Sequence, residues 1–321
     1  AVFDLIARPT TTYEARDRVM ALYAPITLLS FSVAWLGGTG LGFALMFHAT
    51  GGMGWREAVR FSGSALLTLG FAVPRSGATV ALDFAEAAIG LILIAVLIAY
   101  LPTIYSAFSR REVLVSQLAV RGGTPPTPAE LLIRAHRVGY LDQLDDLFIA
   151  WRMWFTEIEE THTSLAILPF FRSTNPHRSW VTSAGCVLDT AAIVASSMDR
   201  DRAVEPQVTI RTGTLCLRAI ADQFKVDHDP DPSPADPISI SQDEFDEVYD
   251  ALAEAGVPLR PDRQQCWVDF AGWRVNYDTA LLALAAMVVA PYAPWVSDRS
   301  PVLDRGPRRS RLRPRAAGHL R

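Results

Sequence analysis

Cysteine is scarce in this chain. Only Cys186, Cys216 and Cys266 occur in 321 residues, far apart and without a CxxC pair. That excludes a zinc ribbon or a disulfide scaffold as the organising principle and leaves buried thiols in a reducing compartment as the expectation. An excess of positive charge is also lacking. Thirty basic and 34 acidic residues leave a net charge of −4, which argues against a nucleic-acid partner held by bulk charge. HExxH, GxSxG, P-loop and paired CxxC patterns are all missing, so the chain is not expected to be an enzyme. Charged residues make up only 20% and hydrophobic ones 50%, with a mean hydropathy of +0.17. That is too apolar for a disordered chain and high for a soluble enzyme.

The missing charges are concentrated. Val19–Trp55 is a run of 37 residues without Asp, Glu, Lys or Arg, and Ala87–Ser109 is a second of 23. A membrane span needs about 20 apolar residues, and a water-soluble helix rarely goes that long uncharged because one face meets solvent. Two spans are therefore expected, at 21–50 and 84–108. The first is too long for a secretory signal. The chain begins with Ala1 and not Met, which leaves an upstream span open. Arg8, Arg16 and Arg18 precede the first span, and Arg110 and Arg111 follow the second. Both flanks are then expected on the cytoplasmic side.

Between the spans, residues 55–67 suit a short helix dipping into the bilayer, and 68–72 suit a non-helical segment. Such backbone at membrane depth is tolerated only where it lines a water-filled path or is buried in protein. Here the chain resembles the pore module of potassium channels: span, half-helix, Thr-Val-Gly-Tyr-Gly filter, span. Thr68, Leu69, Gly70 and Phe71 match the first four filter positions by type; Ala72 stands where the family has a second Gly. The resemblance implies a ring of carbonyl oxygens that replaces the water shell of a monovalent cation, K+ in the family, with no other cofactor. It implies a homo-oligomer, a tetramer by analogy. An Ala held at positive φ would cost about 1–2 kcal/mol. A helical hairpin that conducts nothing is the alternative.

Other residues carry further expectations. Asp83 and Glu86 are placed at the mouth of the second span, where they concentrate cations or pair with arginines. Gly38-x-x-x-Gly42 is the close-packing pattern of membrane helices. Gly90 and Pro102 are the expected bending points of the second span, as a gating hinge or as plain packing and a static kink.

The remainder reads as helical. Residues 109–298 carry a net −11 and residues 299–321 a net +7. Capping boxes at Thr127–Glu130 and Ser241–Glu244 open two helices. Others are expected at 141–162, 180–198, 208–224 and, as one long helix, 262–290. Asp227–Pro237 is a loop; it fails the calcium-loop template. Glu159-x-x-His162 has no second copy for a di-iron site. His136, His177 and His228 share no ligand spacing. Trp151–Phe155 reads as core packing, and Trp273-Arg274 as part of contacts to acidic helices. The Arg-rich tail is expected to be disordered and to meet anionic lipid.

Residues 99–112, 179–183 and 269–278 resemble a group of bacterial membrane proteins described as two-pore-domain potassium-channel-like. That resemblance implies a channel-type pore with a helical cytosolic domain. The expected fold is all-α: an N-terminal cytoplasmic segment at 1–18, a pore module at 19–112, a helical cytoplasmic domain at 113–298 and a basic tail at 299–321. The expected setting is the cell membrane, multi-pass. Two functions compete, a cation channel gated by its cytoplasmic helices and a non-conducting membrane-anchored scaffold or sensor.

Overall fold

The computed structural model describes residues 23–73, 76–200 and 203–299. The N-terminal segment 1–18 and nearly all of the basic tail lie outside them. The described residues are all-helical, with no strand among them. The helices are α1 (Tyr23–Gly51), α2 (Trp55–Leu66), α3 (Gly77–Gly122), α4 (Pro128–Arg137), α5 (Leu144–Ser164), α6 (Trp180–Ser197), α7 (Val204–Gln223), α8 (Gln242–Glu254), α9 (Arg263–Arg274) and α10 (Asp278–Met287). Contacts divide the chain into two units, residues 1–117 with 153–180 and residues 118–152 with 181–321. The boundary expected at 112/113 falls inside α3.

In the first unit the apolar helices are bare. Only 6% of the apolar stretch of α1 and 11% of that of α3 is covered by protein. Phe31, Val33, Trp35, Phe84, Leu91 and Val96 are all more than half exposed. Surfaces of that size and polarity require lipid or a second apolar surface. The structure thus supports membrane association and keeps both expected spans. Helix α3 extends well past the expected 84–108 and carries Pro102 inside it. Its 46 residues measure about 69 Å, more than twice the thickness of a hydrocarbon core.

Length and composition also qualify α6 as a span. Burial explains its apolarity differently, because 94% of it is covered by the protein itself. It runs through the core of the second unit. A Cβ at Gly185 would meet Val296 at 2.6 Å and Leu281 at 2.9 Å, so this helix is packed to backbone contact. Phe245, Trp267, Phe270 and Trp295 stack in a chain beside it, with ring centres 5.1–5.7 Å apart. The three cysteines are free and buried, as expected.

The helix starts follow their caps. Ser241 and Glu244 form the complete reciprocal box. At Thr127 only half forms: its hydroxyl accepts from the Glu130 N–H, while the Glu130 carboxylate turns to Arg134 at 2.5 Å. Helix α7 begins four residues earlier than expected, with Pro206 in its first turn.

The expected long helix 262–290 is corrected to two, α9 and α10, broken at residues 275–277. A buried cation sits at the break. Arg274 is wholly buried and pairs with Asp189 of α6 and, at 2.7 Å, with Asp278. It also donates to the Trp295 carbonyl at 2.8 Å, and the Tyr277 hydroxyl donates to Asp189 at 2.9 Å. Arg274 and Tyr277, three residues apart across the turn, thus meet at the same carboxylate. Burial opposes the charge on Arg274, but Asp189 and Asp278 outweigh it and raise its pKa.

Candidate functional site

Helix α2 and the segment after it form the site. The turn before α2 is fixed by Gly52 at φ +62° and by the His48 ring, whose Nδ1 lies 2.6 Å from the Met53 carbonyl. His48 stacks on Trp55 at 4.4 Å. Helix α2 then packs on α1 through Phe43, Phe47, Ala58 and Phe61. Gly40 is the contact glycine: a Cβ there would reach the Leu66 side chain at 3.3 Å. Gly38 and Gly42, the expected close-packing pair, have no atom of the other described residues, their own helix turn apart, within 4 Å of a built Cβ.

The helix ends at Leu66, and residues 68–72 are non-helical, as expected. Ser64 organises them. Its carbonyl accepts from Leu69 N–H at 2.8 Å and Gly70 N–H at 3.4 Å, and its hydroxyl accepts from Ala72 N–H at 3.1 Å. Thr68 N–H bonds back to the Ala65 carbonyl at 2.9 Å. The amides are thus turned inward onto one buried serine. Among the described residues, the carbonyls of Thr68, Leu69, Gly70 and Phe71 accept no hydrogen bond. The partly negative C-terminal end of α2 lies beside them.

Positive φ occurs at Gly70 (+66°), as the motif requires, and also at Thr68 (+54°). Ala72 has no positive φ, so the expected strain there is corrected. It sits instead at Thr68, where a β-branched residue occupies a left-handed conformation. Ala72 packs against the Phe43–Phe61 cluster. Leu69, Phe71 and Val73 are exposed, and the Arg60 guanidinium lies 5.9 Å from the Phe71 ring centre.

Glu86 is corrected outright. It is wholly buried, not at a mouth. Its Oε1 lies 2.5 Å from Ser62 Oγ, and Ser62 Oγ lies 2.8 Å from the Gly40 carbonyl. The surroundings of Gly90 show a packing role. A Cβ there would overlap the Leu66 carbonyl oxygen and stand 3.0 Å from its carbon.

At the far end of the apolar part of α3, Arg111 is 1% exposed. It donates to the carbonyls of Leu168 at 3.0 Å and Phe171 at 2.6 Å and pairs with Glu112 at 2.9 Å. Trp154 Nε1 donates to the Arg111 carbonyl at 3.1 Å, and Leu168 packs on Ile104 and Ala107. Residues 165–171 therefore strap this end of α3. His162 lies in the same pocket, 3.4 Å from Arg111 Nη1 and edge-on to Trp180. Burial and then the Arg111 charge hold its pKa well below 6.5.

The unfolded chain protonates at His162 near pH 6.5 and the folded chain only far lower, so acid favours unfolding. Acidification below about pH 6.5 is therefore expected to lower stability through this group. Thermal midpoints of detergent-solubilised protein at pH 7.5 and 5 check this. His162→Gln, which cannot titrate, should show the smaller loss. Equal losses would place the acid sensitivity elsewhere.

No family model, curated protein or solved structure matches the chain.

Proposed function

We propose that the chain is a subunit of a membrane cation pore, with Thr68, Leu69, Gly70 and Phe71 at its narrowest part. One observation carries the reading. The N–H groups of Leu69, Gly70 and Ala72 are spent on Ser64, while four successive carbonyls from Thr68 to Phe71 take no partner among the described residues. A permeating cation needs such oxygens in place of its water shell. Two long apolar helices flank the segment, and α2 points its negative end towards it.

In this reading several identical subunits, four by analogy with the resembling family, bring their segments together. Exposed Leu69, Phe71 and Val73 become contacts between copies or with lipid. The permeating ion is a monovalent cation, K+ in the first instance. The helices beyond the membrane are cytoplasmic and gate or sense, acting through Arg111 and the strap. The basic tail, outside the described residues, meets anionic lipid.

Cation flux tests the reading. Protein in liposomes under a potassium gradient is expected to conduct, and Gly70→Asp is expected to abolish conduction. Asp is among the residues that tolerate a left-handed backbone, so the loop should survive while a carboxylate enters the path. A repeat with sodium reports selectivity. A second reading, a non-conducting anchor for a helical sensor, draws on Ala72, whose side chain packs inward rather than lining a path. Folded, oligomeric protein with no flux above empty liposomes would favour it.

A further inference from the structure

Ser62 stands between two acceptors. The Gly40 carbonyl of α1 lies 2.8 Å from its oxygen, and Glu86 Oε1 of α3 lies 2.5 Å from it. A serine hydroxyl has one hydrogen to donate. Given to Gly40, it leaves two oxygens facing each other at the Glu86 contact; given to Glu86, it leaves the Gly40 contact without a hydrogen. Both contacts are attractive together only when the carboxyl brings a hydrogen of its own. Oε1–H then donates to Ser62 Oγ, and Ser62 O–H donates to the Gly40 carbonyl.

The surroundings agree with a neutral carboxyl. Glu86 is wholly buried, and no Arg, Lys or His pairs with it among the described residues. Its second oxygen, Oε2, has no hydrogen-bond partner there. Isolated buried charge in an apolar setting is costly, and a carboxylic acid is far less so. The other charges nearby do not compensate. Asp83, one turn earlier on α3, is acidic. On α2, Arg60 lies over Phe71, while Arg56 and Glu57 are exposed. On α1, His48 is engaged with Met53 and Trp55.

The placement gives the group a task. At about 1.5 Å of rise per residue, Gly40 lies about 16 Å from the Gly51 end of α1 and Glu86 about 14 Å from the Gly77 end of α3. The bridge therefore joins three helices at one level. Ser64, which holds the 68–72 segment, is two residues further along α2. We infer that Glu86 is a positioning residue that, as a protonated carboxyl, ties α2 to α1 and α3 through Ser62 and so fixes the filter-like segment. The link to conduction rests on the cation-pore reading; the protonated bridge does not.

Two readouts separate them. The first is infrared difference spectroscopy of the reconstituted full chain at neutral pH, wild type minus Glu86→Gln. A carboxylic-acid carbonyl band in wild type that vanishes in the variant supports the bridge whether or not the protein conducts. Its absence would overturn the proposal. The second is flux and thermal stability in the same liposomes. Glu86→Gln keeps a donor and an acceptor and should retain flux within about twofold of wild type. Glu86→Ala and Ser62→Ala break the chain and should lose about tenfold or more. Loss of flux in Glu86→Gln equal to that in Glu86→Ala would show that a charge, not a hydrogen, is needed, and would sink the inference even if the Ala variants failed to fold. Wild-type protein that shows the band but carries no ions would keep the bridge and remove the pore.

Discussion

Gly90→Ala is expected to destabilise detergent-solubilised protein by about 3 kcal/mol, at the upper end of overpacking costs. The reason is what the new methyl would meet. It would overlap the Leu66 carbonyl oxygen, stand 3.0 Å from the carbonyl carbon and 3.2 Å from the Leu66 Cα. All three are backbone atoms, so no side chain can rotate away. Helices α2 and α3 must separate, and the end of α2 moves with them. Gly40→Ala provides the milder comparison, because its methyl would meet only the flexible Leu66 side chain at 3.3 Å and the Ser62 hydroxyl at 3.6 Å. A cost of about 1 kcal/mol is expected there. Thermal midpoints of the two variants should therefore rank clearly. A hinge role for Gly90 predicts the opposite pattern: Gly90→Ala would melt near wild type and change only the open fraction in flux records. Pro102, the other expected bending point, lies within the continuous helix α3.

The second large effect is expected in the other unit. Arg274→Met should cost about 3–5 kcal/mol, the range for breaking a buried ion pair by removing one partner. Asp189 and Asp278 are 1% and 4% exposed, and Arg274 is the cation between them. Ser239 satisfies part of Asp278 through its N–H at 2.9 Å and its hydroxyl at 2.7 Å, and Tyr277 part of Asp189. Without Arg274 those bonds remain but the charges are uncompensated. Removing a charge with the cation should restore part of the loss, so Arg274→Met with Asp189→Asn is expected to melt higher than Arg274→Met alone. Circular dichroism melts of the full chain check both. Equal melts for the two variants would mean that Asp189 contributes as a hydrogen-bond acceptor and not as a charge.

These residues show how far the sequence reaches. The charge-free runs located α1 and α3 because hydropathy over about 20 residues is a direct readout of length and polarity. Caps placed the starts of α4 and α8, and the Thr-Leu-Gly-Phe run placed the non-helical segment. Other features depend on partners distant along the chain. Glu86 reads the same whether it faces water or a serine 24 residues earlier. Three glycines within one run, Gly38, Gly40 and Gly42, look alike until the neighbouring helix picks the middle one. Helix α6 has the composition of a span, yet its apolar surroundings are protein. The partner that holds Arg274 at the break between α9 and α10 is Asp189, 85 residues earlier.

The pair Arg110 and Arg111 has a consequence for how the protein is made. In the proposed topology this doublet is the positive signal that keeps the inner end of α3 from crossing during insertion. In the finished fold the two differ: Arg111 is buried, while Arg110 stays exposed. Arg110 is engaged by Glu157, and Arg111 is enclosed by Glu112, Leu168 and Phe171. The partners, Glu112 apart, are translated about 45 residues or more after the doublet, so at a nascent-chain stage both arginines are bare. In that topology, orientation is set early by two charges, one of which, on Arg111, the later fold withdraws. Reversal then requires unfolding the strap first, which makes the choice of membrane side a kinetic commitment and not a standing equilibrium.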